Sequence, residues 1–210
     1  MSLTDVSCGG ARTADLTASQ KPGVPPQLDA LSSSTRLVTV SIGVNNNAVS
    51  AVLLIDCRFV RAQDPTGAPC QNGTRTWAAT AFDGLQSQLV ASYQAIRARA
   101  PHARVIVIGY PEILGTSGAC AKDPIATGDV AYINGLNTRL NAIVKAAAAA
   151  AGVEYLDLAG PSRHHGVCSR SPWINGQWPV PGVAAPMHPL PAEQKAVADL
   201  LESRLRSPAS

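Results

Sequence analysis

Residues 37–46 read LVTVSIGVNN. From Leu37 to Gly43 the run is nearly continuous in apolar and β-branched residues. A strand of that kind is buried on both faces, as in a parallel sheet, whereas a half-exposed strand alternates. Two further runs share the character, Arg104 to Tyr110 (RVIVIGY) and Val153 to Leu158 (VEYLDL). Helical stripes separate them. Leu85, Leu89, Tyr93, Ile96 and Ala100 recur at helical spacing and Pro101 closes the segment. Ile133, Leu136, Leu140, Ile143, Val144 and Ala147 repeat the pattern, with Gly152 placed as a C-cap. Pro191 opens a last helix whose stripe is Val197, Leu200, Leu201 and Leu205. Alternating strands and helices predict an α/β protein of three layers, α/β/α, around a parallel sheet. Thr4 to Cys8, just ahead of Gly9 and Gly10, is a weaker fourth strand. The stretches 56–80 and 159–190, rich in Gly and Pro, read as long irregular loops, where sites are commonly built.

The 210 residues suit one domain spanning 1–210, and 46% hydrophobic residues suffice for its core. A charged fraction of 15% and a net charge of +3 give no electrostatic footprint for nucleic acid. No apolar run approaches the length of a membrane span. Five cysteines without a CxxC pair read as disulfides of an exported protein rather than metal ligands. Cys57 and Cys70 flank a segment rich in Asp, Pro and Gly that a bridge stabilises by roughly 2–3 kcal/mol. Cys120 and Cys168 form the second pair and Cys8 is left over. The opening MSLTDVSCGG has neither the basic stretch nor the apolar run of an export signal. Together with the odd cysteine, this leads to the expectation that an N-terminal segment is missing. His164, His165 and Cys168 are the one spacing with a metal-like look, and His102, His164 and His165 read as surface residues. The reading calls for no cofactor and no metal.

Three blocks carry chemistry. SCGGARTADL at 7–16 places Gly10 after a strand-like segment; LVTVSIGVNN places Asn45 just past a strand; MHPLPAEQKAVADLL at 187–201 places His188 just before a helix. In this order they resemble the SGNH or GDSL-type serine hydrolases, in particular a secreted actinobacterial branch of esterases and lipases. The resemblance implies a flavodoxin-like parallel sheet. It also implies that the Gly10 N–H and the Asn45 amide stabilise the oxyanion of acyl transfer while His188 is the general base. The family's first block, a Gly-Asp-Ser at a strand end, is absent from the chain. The sheet should therefore lack its first strand and the chain its nucleophile; Ser7, Ser41 and Ser117 do not match the nucleophile's position.

Asn46 stands where the family usually has aspartate. Ala185 stands three residues before His188, where aspartate is also usual, and its carbonyl is the expected orienter of the imidazole. Without a first strand, either Thr4–Cys8 re-pairs with 37–43 or the isolated chain is only marginally stable. The functional expectation is a secreted, monomeric hydrolase of carboxylic esters, acting on a small-molecule, lipid or glycan ester, with the serine outside this chain. The alternative is a secreted binding protein on the same fold that does no chemistry.

Overall fold

The computed structural model describes residues 2–52, 56–116 and 118–206. Three strands, β1 (Leu37–Val40), β2 (Arg104–Ile108) and β3 (Glu154–Leu156), form a parallel sheet in the order β1-β2-β3. Leu37 lies opposite Arg104 and Val40 opposite Val107; Ile106 lies opposite Glu154 and Ile108 opposite Leu156. Among the described residues seven α-helical segments accompany them: α1 (Val49–Ala51), α2 (Cys57–Val60), α3 (Pro69–Thr80), α4 (Leu85–Arg99), α5 (Val130–Ala151), α6 (Ala159–Ser162) and α7 (Pro191–Arg206). Both crossovers step in one direction across the sheet, so right-handed connections bring α4 and α5 to the same face, where they pack on each other.

The stripes decide what is buried. Leu85, Leu89, Tyr93 and Ile96 of α4 are buried with Ile133, Leu140 and Val144 of α5 and Val105 and Val107 of β2. Each such side chain contributes about 1.5–3 kcal/mol on leaving water. Gly152 ends α5 in the left-handed conformation, φ 65°, and accepts no Cβ penalty there. On the far side of the sheet's amino-terminal end, Glu154 receives Arg104 Nη2 at 2.9 Å and Arg204 Nε at 2.7 Å, which fastens α7 to β2 and β3.

The strands stop earlier than their apolar runs. Gly43 has φ +121° and turns the chain out of β1; a Cβ there would press on Leu89 at 3.2 Å. Beyond β2, the Asn141 side chain of α5 accepts from the Tyr110 N–H at 2.8 Å and donates to the Tyr110 carbonyl at 2.9 Å, replacing a strand neighbour.

Two expectations are corrected. Thr4–Cys8 forms no strand and does not pair with 37–43: it is largely exposed, the Asp5 carboxylate takes the Ser7 N–H at 2.9 Å, and the Cys8 carbonyl takes the Ala11 N–H at 3.2 Å. Among the described residues β1 therefore pairs on one side only, with β2. Nor is 56–80 irregular, since α2 and α3 occupy most of it. Pro69 starts α3, and the next two N–H groups, of Cys70 and Gln71, donate to the buried Asp129 carboxylate at 3.0 and 2.9 Å. Cys57–Cys70 and Cys120–Cys168 are the two disulfides, and Cys8 is a free thiol. No described helix is long and apolar enough to cross a membrane.

Candidate active site

At the carboxyl end of the strands the chain encloses a cavity of about 920 Å³. Its lining includes Gly10, Asn45 and His188, which stand far apart in sequence. Three local structures deliver them. Gly10 has φ +77°, on a loop held by Gln20 Nε2 donating to the Gly9 carbonyl at 2.9 Å. Asn45 follows the Gly43 turn, and its Nδ2 donates one hydrogen to the Ala11 carbonyl at 3.1 Å. That bond ties the Asn45 amide to the Gly10 loop and leaves its second hydrogen to another acceptor. Asn46, buried beside it, accepts from the Thr13 N–H at 3.1 Å and donates to Thr13 Oγ1 and Gln88 Oε1, both at 2.7 Å. The asparagine in the aspartate position thus binds the Gly10 loop to α4.

A second support comes from Tyr110. Its hydroxyl accepts the Val44 N–H at 3.1 Å, one residue before Asn45. Burial pushes the Tyr110 hydroxyl up to about 12, against hydrogen bonds from the Val44 N–H and the Ser41 side chain. It stays a neutral phenol at any ordinary pH and keeps its acceptor role.

His188 sits on a turn ahead of α7. Its Nδ1 lies 2.7 Å from the Pro186 carbonyl oxygen, which can only accept; the ring therefore carries its proton on Nδ1 and presents Nε2 as the basic atom. This corrects the assignment of Ala185 as orienter. The Ala185 carbonyl instead accepts the His188 backbone N–H at 3.2 Å, a bond that closes the turn and places Pro186 nearer the ring. Met187, at φ +59°, turns the backbone between them and buries its side chain under the cavity. The loop is clamped by the buried Asn175, whose Nδ2 contacts the carbonyls of Trp178, Ala184 and Ala185 at 2.8–3.2 Å.

Glu193, Arg58, Ser50 and Phe59 line the cavity and gave no sequence signal. Glu193, one turn into α7, is 6% exposed, and desolvation pushes its carboxyl above the ordinary range. Arg58 of α2, Ser41 and Ser50 also line the cavity, and Phe59 and Trp178 stand exposed there at 79% and 72%. Ser7 is exposed outside it, and Ser117 lies outside the described residues. The metal-like trio is not available: Cys168 is in a disulfide and His165 stacks on Trp173 with ring centroids 4.5 Å apart.

One cavity is thus lined by Gly10, by an asparagine amide tied to the Gly10 loop and by an oriented imidazole, residue types suited to acyl transfer. Related proteins carry the same indication. Lipase 2 of Streptomyces coelicolor is 40% identical over 175 residues, 79% of this chain and 58% of that protein. The lipase of Streptomyces rimosus is 31% identical over 80% of this chain and 58% of its own length. The chain thus spans under two thirds of the relatives it matches. Among solved structures, phospholipase A1 from Streptomyces albidoflavus NA297 superposes with a TM-score of 0.75 at 30% identity, over 93% of this chain and 77% of that one. The extracellular lipase from Streptomyces rimosus gives 0.74 at 28%, with the same coverage. The family model for GDSL-like lipase/acylhydrolases matches residues 1–196, and with the parallel sheet and its cavity the conclusion is that this chain belongs to that family.

Proposed function

We propose that the chain is the body of a secreted, monomeric carboxylic-ester hydrolase in which 1–210 forms one domain and the attacking serine comes from a segment outside these residues. One observation carries the reading: Gly10, Asn45 and His188, chosen as a catalytic set from three separate blocks, all line one cavity. In the reaction, His188 Nε2 takes the proton of the serine hydroxyl as its oxygen attacks the ester carbonyl. The negative charge on the carbonyl oxygen is met by the Gly10 N–H and the remaining Asn45 amide hydrogen. The imidazolium, held through Nδ1 by the Pro186 carbonyl, returns the proton to the departing alcohol. Water then repeats the sequence on the acyl-serine and frees the carboxylic acid. Two disulfides support export, as does the extracellular lipase among the structural relatives.

The test is hydrolysis of short-chain and medium-chain p-nitrophenyl esters by the 210-residue chain, by a form extended upstream along the genomic reading frame, and by the extended form carrying His188→Ala. Turnover by the extended form alone, abolished in His188→Ala, is the expected result. Full turnover by the 210-residue chain would place the nucleophile within it, with Ser41 and Ser50 next to be replaced. Turnover by neither form, with an ester still bound, would leave a binding protein on this fold.

A further inference from the structure

Four carboxylates are buried among the described residues, Asp15, Asp123, Asp129 and Glu193. Three of them are met by protein. Asp15 accepts the Arg12 N–H at 2.7 Å, Asp123 accepts Arg58 Nε at 2.6 Å, and Asp129 accepts the Cys70 and Gln71 N–H groups at 3.0 and 2.9 Å. Glu193 is the exception. It lines the cavity from α7 at 6% exposure, and among the described residues neither a donor nor a cation acts on its carboxyl, which feels only the loss of water. A buried charge without a partner is costly, and such a group calls for an explanation.

The cavity wall cannot supply the partner. The Arg58 guanidinium is committed to Asp123, and His188 gives its Nδ1 proton to the Pro186 carbonyl and presents a basic atom. A cation brought in by a ligand would answer Glu193, and the rest of the wall says of what kind. A metal ion needs several oxygens around it, and a primary ammonium needs acceptors for three N–H groups. Here one carboxylate stands in a wall that is otherwise largely apolar, with Ile108, Leu140, Leu158 and Ile174 among its residues. Phe59 and Trp178 line the same cavity with their side chains exposed. A quaternary ammonium is a cation covered by methyl groups: it requires no hydrogen bonds, packs on apolar surface and is attracted to aromatic faces.

Resting on the reading of this cavity as an ester site, we propose that its substrates are carboxylic esters carrying a quaternary ammonium group, with Glu193 as the specificity-determining carboxylate and Phe59 and Trp178 as aromatic walls for the cation. The hydrolysis is the one already described, water and ester giving carboxylic acid and alcohol, with the ammonium group unchanged on one product.

The test is calorimetric titration of the 210-residue chain, because binding needs no nucleophile. Two pairs of probes serve: butyrylcholine with its uncharged tert-butyl isostere, and the ethyl ester of trimethylammoniobutyric acid with its own tert-butyl isostere. The first pair carries the cation on the alcohol half and the second on the acyl half. The expected result is that the cationic member of at least one pair binds at least about tenfold tighter, the equivalent of roughly 1.4 kcal/mol, and that pair names the half. Glu193→Gln, checked by circular dichroism, should bind both members alike; the wild-type comparison stands whether or not this variant folds. Equal affinities within both pairs would overturn the inference and leave the ester site standing, and a preference that survives in Glu193→Gln would overturn the role of Glu193. Free choline binding as tightly as butyrylcholine would make the ligand an amine and overturn the ester class. In the upstream-extended form the same preference is expected in kcat/KM, and its loss there would mean that the upstream segment, not the substrate, is the partner of Glu193. Binding of none of the four esters would sink the inference together with the ester-site reading.

Discussion

His188, Asn45 and Gly10 act through neighbours that hold them. The Tyr110 hydroxyl is one such neighbour, since it accepts the Val44 N–H while Asn141 clamps the Tyr110 backbone from α5. Tyr110→Phe keeps the ring packed but removes the acceptor and frees the turn that aims Asn45. In the upstream-extended form we expect kcat to fall about tenfold, roughly 1.4 kcal/mol of transition-state stabilisation, with KM unchanged. A fall in KM-linked binding alone would assign Tyr110 to the pocket wall instead. Asn46→Ala removes three hydrogen bonds, two to Thr13 after the Gly10 loop and one to Gln88 of α4. Its expected cost is about 2 kcal/mol, a drop of about 4–8 °C in Tm; an unchanged melt would show that the Gly10 loop is held by other contacts. At this scale the sequence was legible wherever a block pattern names a residue, as at Gly10, Asn45 and His188. Arg58 and Tyr110 gave no such signal because their partners, Asp123 and Val44, stand 65 and 66 residues away, and Glu193 and Asn175 gave none because burial and the folded path of a loop, not sequence spacing, define their places. The orienter of His188 was misplaced by one residue, since the choice between Ala185 and Pro186 depends on the left-handed turn at Met187.

Elements with a self-contained signal were read nearly to their ends: α4 begins at Leu85, α7 at Pro191, and β1 and β2 begin at Leu37 and Arg104. Helix α3 was not legible. Its sequence PCQNGTRTWAAT contains a glycine and no apolar stripe, so nothing local favours it. What holds it is remote: the Cys57–Cys70 bridge and the Asp129 carboxylate at its first turn. Asp129→Ala removes the acceptor of the Cys70 and Gln71 N–H groups and should cost about 1–2 kcal/mol. Native-state hydrogen exchange checks it, with the Cys70 and Gln71 amides exchanging faster in the variant; equal rates would show that the disulfide alone holds the helix. Thr4–Cys8 failed in the opposite way. Five residues of moderate β-propensity make a strand only when a partner edge is within reach, and here the Asp5 side chain captures the backbone first.

Over the whole molecule two carboxylates set opposite pH dependences. Hydrogen bonds from Arg104 hold Glu154 below its ordinary 4.5, helped by Arg204. The unfolded chain therefore binds that proton first, and the stability that Glu154 contributes is present above 4.5 and lost as pH falls through its depressed folded value. Glu193 has the reverse sign: desolvation raises it, so stability rises as pH falls through its raised folded value toward 4.5. A melt followed against pH should therefore rise slightly on acidification from neutrality and then fall below 4.5, and Glu154→Gln should lose that fall. The sheet adds a prediction of its own. In a parallel ladder alternate amides of a strand point to opposite sides, and β1 has β2 on one side only among the described residues. Val38 and Val40 are also only half-buried, whereas Val105, Ile106 and Val107 of β2 are buried. If the segment bearing the serine enters as a strand, the free edge of β1 is the backbone surface open to it, beside the cavity that Ser41 already lines. The extended form should then protect from exchange those β1 amides that exchange freely in the 210-residue chain. It should also melt higher, because each newly paired backbone bond contributes about 0.5–1.5 kcal/mol. Ester turnover gained without new protection along Leu37–Val40 would mean that the serine arrives on a loop and β1 remains the edge of the sheet.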